Sequence, residues 1–351
     1  MTDETASIEV EENTPEVMKK AVPRLVYILL AVAIIMTSFA STLIRLAGKN
    51  AAMIGTFPAD AAVIAFWRLL FATIGMFFGA LVTRNLGEFK KVSFKKDIPL
   101  LALSGLLLGI HFATWNESLR LTTVASSITI LYLMPLFALL LSVLFLKEKA
   151  SWGQVIVILL TVSGAIVVGI SDLITQGLGT LVGDLLAVAG AISVAGYFVI
   201  GRKKREKLDI FSYTTIVYGF CTVFLFLYIL IFNSAYYSFN HFVTITFHLE
   251  WQHFLMFLLL AIGPSCLGHT LYNYSLGYVR TPVITVTALG EMFGATLLAM
   301  IFLEYPTWTA FGMILVAAGI IVTAVLENKA LTKKALAKPE KNENNTSKEL
   351  S

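Results

Sequence analysis

Several residues in this chain place hydrogen-bonding or ionisable chemistry inside long apolar stretches. Glu291 lies near the middle of the stretch 281–303. An ionised acid deep in hydrocarbon costs from about 2.5 kcal/mol upward, so it is kept only where it is paired, solvated or functional. A carboxyl there can take up a proton or meet a polar group of a substrate, and a purely structural pairing is the competing reading. Arg68 lies about 12 Å into the stretch 60–83 at a helical rise of about 1.5 Å per residue. Its fork matches a substrate carboxylate or an acidic gating partner, and lysine would not reproduce that geometry.

His111 and Trp115 stand four residues apart, as do His269 and Asn273, so each pair occupies one face of a helix. Two such faces can frame a central pocket in which histidine contacts substrate or carries a proton. Asn116 offers an amide to the same pocket or to a neighbouring helix. Tyr197 can stack on an apolar substrate or simply pack. Thr287, four residues before Glu291, can offer its hydroxyl to the cavity or back-bond to its own helix, and Thr285 poses the same choice. Glu117 and Asp184 fall close to stretch ends and read as solvated border residues. These side chains suit substrate contact and, at Glu291, proton coupling.

Other chemistries lack their residues. The sequence holds neither a G-x-x-x-x-G-K-[ST] loop nor an H-E-x-x-H pair, which speaks against a nucleotide-driven pump and a common zinc protease. No cofactor or metal is expected, and no nucleophile accompanies the histidines as an enzyme would require. Cys221 and Cys266 lie in apolar runs and read as small hydrophobes.

The elements that position these residues must be membrane helices. Hydrophobic residues make up 57% of the 351 positions and charged ones 14%, with a mean hydropathy of +0.81, so water cannot be the main solvent. A lipid bilayer is therefore a partner of this chain. About 20 apolar residues cross a hydrocarbon core, which gives spans at 25–46, 60–83, 98–118, 122–146, 151–170, 181–201, 209–232, 251–275, 281–303 and 307–326. Each must be helical, because an open strand leaves backbone groups without partners in lipid. The fold class is all-α integral membrane, with ten transmembrane helices.

Segments 1–24 and 327–351 read as polar tails. The acidic start MTDETASIEVEENTPEV does not resemble a signal peptide. Positive charge gathers at Lys19, Lys20 and Arg24, at Arg84 to Lys96, at Lys147 and Lys149, at Arg202 to Lys207, and at Lys329 to Lys334. The loops near 171–180, 233–250 and 304–306 hold no Lys or Arg. This asymmetry places both termini in the cytoplasm of a multi-pass cell-membrane protein. The formal net charge of +4 is thus a topology signal, and no nucleic acid is expected as a partner. Trp152, Trp251 and Trp308 begin spans and read as interfacial anchors, while Gly75/Gly79, Gly105/Gly109 and Gly290/Gly294 suit close helix packing.

The two halves resemble each other. Trp115-Asn116-Glu117-Ser118-Leu119 aligns with Tyr272-Asn273-Tyr274-Ser275-Leu276, and Phe145-Leu146 with Phe302-Leu303. With one-residue gaps, Glu148 falls on Glu304, Trp152 on Trp308 and Gly164 on Gly319. Five spans per half is an odd number, so the copies at 25–170 and 181–326 enter the membrane in opposite directions as inverted repeats.

The runs IAFWRLLFA (64–72), PLFALLLSVLFLKE (135–148), GDLLAVAGAISVAGYFVIGRKKR (183–205) and LGEMFGATLLAMIFLE (289–304) resemble the EamA-like branch of the drug/metabolite transporter superfamily. That resemblance implies two five-helix inverted repeats and movement of small metabolites such as amino acids, commonly by coupling to an ion gradient or by exchange. The family often has Glu-Pro in the ninth helix. This chain has Glu291-Met292 there, whereas its first copy keeps Met134-Pro135. The missing proline leaves the flexibility of the ninth helix open.

The expected function is secondary active transport of a small metabolite by alternating access. The solute is an amino acid or a related compound, moved outward, with protons or exchange as the coupling. An uptake permease for a solute such as a nucleobase, or a channel, is the alternative. Both repeats are present in one chain, so a monomer suffices.

Overall fold

A computed structural model describes residues 24–147, 152–236, 239–303 and 314. The described residues are helical and connected by short turns. The first half contains α1 (Arg24–Ala47), α2 (Ala61–Val82), α3 (Ile98–Leu121), α4 (Val124–Leu131), α5 (Met134–Leu146) and α6 (Trp152–Gln176). The second contains α7 (Gly179–Arg205), α8 (Ile210–Tyr236), α9 (Phe239–Phe247), α10 (Trp251–Leu260), α11 (Thr270–Leu276), α12 (Thr281–Ala288) and α13 (Gly290–Phe302). Among the described residues, eight helical segments are long and apolar enough to cross a membrane. The expected fifth span corresponds to the 25-residue α6. The expected tenth, at 307–326, lies outside the described residues apart from position 314, as does Trp308.

Large apolar side chains point outward along these helices. Ile28 is 60% exposed, Phe78 63% and Phe145 70%, a surface that suits lipid and not water. Trp152 and Trp251, the first residues of α6 and α10, are likewise exposed, as interfacial anchors must be.

Three expected spans are not single α-helices. The stretch 122–146 breaks at Tyr132-Leu133, because Pro135 lacks the N–H that would continue the hydrogen-bond ladder. The stretch 281–303 breaks at the corresponding place, Leu289, without a proline. There Gly290 supplies the weak helical preference, and shorter bonds from Leu289 N to Val286 O (3.1 Å) and from Met292 N to Leu289 O (3.2 Å) tighten the turn. The stretch 251–275 contains a π-helical segment, Ala261–His269, built around Pro264. The Ser265 carbonyl accepts the Thr270 backbone N–H and, in addition, hydrogen bonds from Thr270 Oγ1 (3.1 Å) and Tyr218 OH (3.4 Å).

The halves interlock. α1 packs against α13 and the π segment of the second half, while α7 packs against α3, α4 and α5 of the first. α2 and α3 both lie along α8. Glycines permit some of these approaches. A Cβ on Gly105 would stand 2.6 Å from Phe220 Cβ and 2.8 Å from the Val217 carbonyl, and one on Gly294 would run into the Ser38 hydroxyl.

Candidate functional site

The helix irregularities gather around one buried cluster. Arg68, on α2, is fully buried. Its Nε donates to Ser265 Oγ at 2.7 Å, and Ser265 is presented by the π-helical turn. The guanidinium carbon lies 4.3 Å from the centroid of the Phe112 ring, a cation–π contact from α3. The other two guanidinium nitrogens are buried without a hydrogen-bond partner. A buried guanidinium left this open is costly, and a carboxylate or other planar anion is the group that matches its fork.

Aromatic rings pack around this cluster. His111 stacks on Trp115 at 5.7 Å between centroids and approaches His269 at 6.2 Å, bringing α3 against the end of the π segment. His269 also meets Phe112 (5.3 Å), Phe198 of α7 (6.5 Å) and Tyr272 of α11 (6.4 Å). His111 Nδ1 donates to the Gly190 carbonyl of α7 at 3.1 Å, which fixes its ring. His269 Nδ1 and Trp115 Nε1, both buried, have no hydrogen-bond partner. The cluster therefore pairs apolar ring faces with unspent polar atoms, the composition of a ligand site.

Glu291 closes the other side. It is buried in the first turn of α13, immediately after the break at Leu289, where free backbone N–H groups and the helix dipole favour negative charge. Its carboxyl interacts with the hydroxyls of Thr37 on α1 and Tyr132 at the α4–α5 break, and electrostatically with Arg68. Thr37 Oγ1 lies 3.3 Å from the Tyr272 hydroxyl, extending the hydroxyl lining. Both broken helices thus contribute to one carboxyl site.

The expected residues divide into three groups. Arg68, His111, Trp115, His269 and Glu291 come together. Tyr197 and Asn273 pair with each other, Asn273 Nδ2 donating to the Tyr197 hydroxyl and to the His269 carbonyl (2.6 Å), so they brace the cluster from beside it. Asn116 Nδ2 donates to the Ala61 carbonyl at 3.0 Å, tying α3 to the start of α2. Thr287 gives its hydroxyl to the Val283 carbonyl at 2.8 Å, and the break at Leu289 separates it from the helical face of Glu291. Glu117 pairs with Arg120 at a helix end, as a border residue should. Asp184, expected to be solvated, is buried in the second turn of α7, which begins earlier than the sequence suggested. The structure adds Thr37, Phe112, Tyr132, Phe198, Ser265 and Tyr272 to the cluster. Only Tyr272 carried a sequence signal, through its alignment with Trp115.

A cavity of about 750 Å3 opens elsewhere, along the face of α3 that carries Leu106, Ile110, Ala113 and Glu117. Arg68, His111, Trp115 and Glu291 do not line it. Its rim acids are already engaged, Asp60 capping α2 at Ala62 N (2.9 Å) and Glu117 holding Arg120. Leu106 and Ile110 on its wall are exposed, and the cavity is separate from the buried cluster.

The fold has a solved counterpart. A structure described only as "Crystal structure of protein" superposes with a TM-score of 0.61 at 17% identity, covering 88% of this chain and 99% of that one. No curated protein matches the chain in sequence. The model of the EamA-like transporter family matches twice, over residues 24–170 and 181–325. Two matches spanning nearly all of the apolar sequence, on a multi-pass helical architecture, settle the assignment: the chain belongs to the EamA-like transporter family of the drug/metabolite transporter superfamily.

Proposed function

We propose that this protein is a secondary active transporter that moves a small carboxylate-bearing metabolite, an amino acid or close relative, outward across the cell membrane by alternating access. In this reading the chain consists of two inverted five-helix repeats, 25–170 and 181–326, between polar tails at 1–24 and 327–351 on the cytoplasmic side. The observation that carries it is Arg68, a fully buried guanidinium with two uncommitted nitrogens, facing a hydroxyl-lined carboxyl at Glu291 across aromatic walls. The substrate carboxylate takes the guanidinium, and its side chain rests against Phe112, Phe198 and Trp115. An ammonium group suits the Glu291 side. Because Glu291 and the substrate carboxylate both answer to Arg68, substrate and proton binding are linked through one charge.

Counterflow in proteoliposomes tests this reading. Vesicles loaded with unlabelled amino acids, organic acids or nucleobases are given trace labelled solute, in wild type and Glu291→Gln. Accelerated uptake with amino acids supports the proposal. In Glu291→Gln, exchange persists while acceleration by a pH gradient disappears. A full gradient response in that variant removes Glu291 from the coupling, and acceleration by nucleobases alone replaces the substrate class.

A further inference from the structure

Two arginines occupy matching places at the ends of the first helix of each half. Arg45, in the last turn of α1, is buried, and its Nη1 donates to the Leu119 carbonyl at 2.7 Å and, more weakly, to that of Thr122 at 3.4 Å. Arg202, in the last turn of α7, is buried, and its Nη1 donates to the Leu276 carbonyl at 2.7 Å. Each bond spans 74 residues. Leu119 and Leu276 hold the same position in the aligned segments and lie in the last turns of α3 and α11. Carbonyls there have no intrahelical donor, and the negative end of the helix dipole favours a cation.

Both clamps border the central cluster. Trp115 is one turn before Leu119, and Tyr272 is one turn before Leu276, so releasing either helix end would uncover one aromatic wall of the site. Arg205 reinforces the second clamp by donating to the Asn273 carbonyl at 3.2 Å. We infer that Arg45 and Arg202 are positioning residues for transport, latches on opposite sides of the substrate site that open in alternation. This rests on the transporter reading and its inverted five-pass halves, which put the two clamps on opposite membrane faces. Both bonds are made in this structure. Alternating access requires that breaking one latch favours keeping the other, because the site must never open to both sides at once.

The test uses the repeat-equivalent buried serines beside the latches, Ser118 and Ser275. Ser118→Cys and Ser275→Cys are introduced singly into full-length protein carrying Cys221→Ala and Cys266→Ala. Labelling by a charged maleimide is then timed in nanodiscs, where both faces are accessible. Arg45→Gln is expected to speed labelling at position 118 by about fivefold or more and to slow it at 275, and Arg202→Gln to do the reverse. Both reporters rising together, or neither moving in monodisperse protein, overturns the proposal. Should the glutamine variants fail to fold, Arg45→Lys and Arg202→Lys must show the same opposed signs at smaller amplitude, and shifts of one sign in them overturn it equally. Counterflow on the same proteins separates the two ideas. Reciprocity without any counterflow refutes the transporter reading alone, whereas counterflow without reciprocity refutes the latches alone.

Discussion

Arg68 Nε donates to Ser265 Oγ over 2.7 Å, joining a helix of the first half to the π-helical turn of the second. The bond uses one of five guanidinium donors and aims the rest into the cluster. A π-helical turn is otherwise an energetic burden, and such turns are frequent at functional sites. Here it brings Ser265 and His269 to the same site, one holding the arginine and the other completing the aromatic wall.

Arg68→Lys keeps the charge but loses the fork and the planar stacking on Phe112. Exchange should fall by about tenfold or more, mainly through weaker substrate affinity, because an ammonium cannot grip a carboxylate bidentately. Concentration-dependent counterflow reads this. An unchanged half-saturation concentration would show that Arg68 does not touch the substrate.

Gly105→Val should destabilise the protein by about 1–3 kcal/mol, because the added carbon meets Phe220 Cβ and the Val217 carbonyl rather than a flexible chain end. Thermal unfolding in detergent measures the loss. Gly87→Ala, where an added Cβ meets nothing within 4 Å, is the matched control.

Met292→Pro restores the Glu-Pro pair that the family often carries. Position 292 lies in the first turn of α13, where proline is tolerated, and the helix is already broken at Leu289. Folding should survive, with exchange within about threefold of wild type. Loss of folded protein would show that the short bond from Met292 N to Leu289 O carries the turn.

The Asp97–Lys204 ion pair, 2.6 Å long, ties the start of α3 to the end of α7. The hydrogen bond from Lys204, followed by the Ser93 N–H, holds the Asp97 carboxyl below its ordinary range. A carboxyl lowered in the folded state contributes stability above the unfolded aspartate value of about 3.9 and loses it as pH falls through the lower folded value. Asp97→Asn should therefore be less stable than wild type from pH 5 to 8, by about 1 kcal/mol at most, and the gap should close below about pH 4. A gap that is constant with pH would assign the effect to packing.

Much of the candidate site is legible in the sequence because buried charge is rare in a membrane helix. Glu291 and Arg68 stood out on that ground alone, and helical spacing paired His111 with Trp115. Asn116 and Thr287 also stood out, yet each hydroxyl or amide has a partner outside the cluster, since spacing along one helix does not say which neighbour it faces. Phe112, Phe198 and Tyr132 gave no such signal: aromatic residues are common in apolar helices, and only contact distinguishes a site wall from packing.

By itself the sequence determined the membrane helices, the repeated halves and the presence of ionisable groups within them, because hydropathy and charge act locally along a chain. The tertiary structure decided where those helices break and which faces meet. The break at Leu289 has no proline to announce it, the π-helical turn is stabilised by hydroxyls from Tyr218 and Thr270, and the clamps of Arg45 and Arg202 reach carbonyls 74 residues away. Each depends on partners distant in sequence, whose approach is set by packing between helices and not by the residues of any one of them.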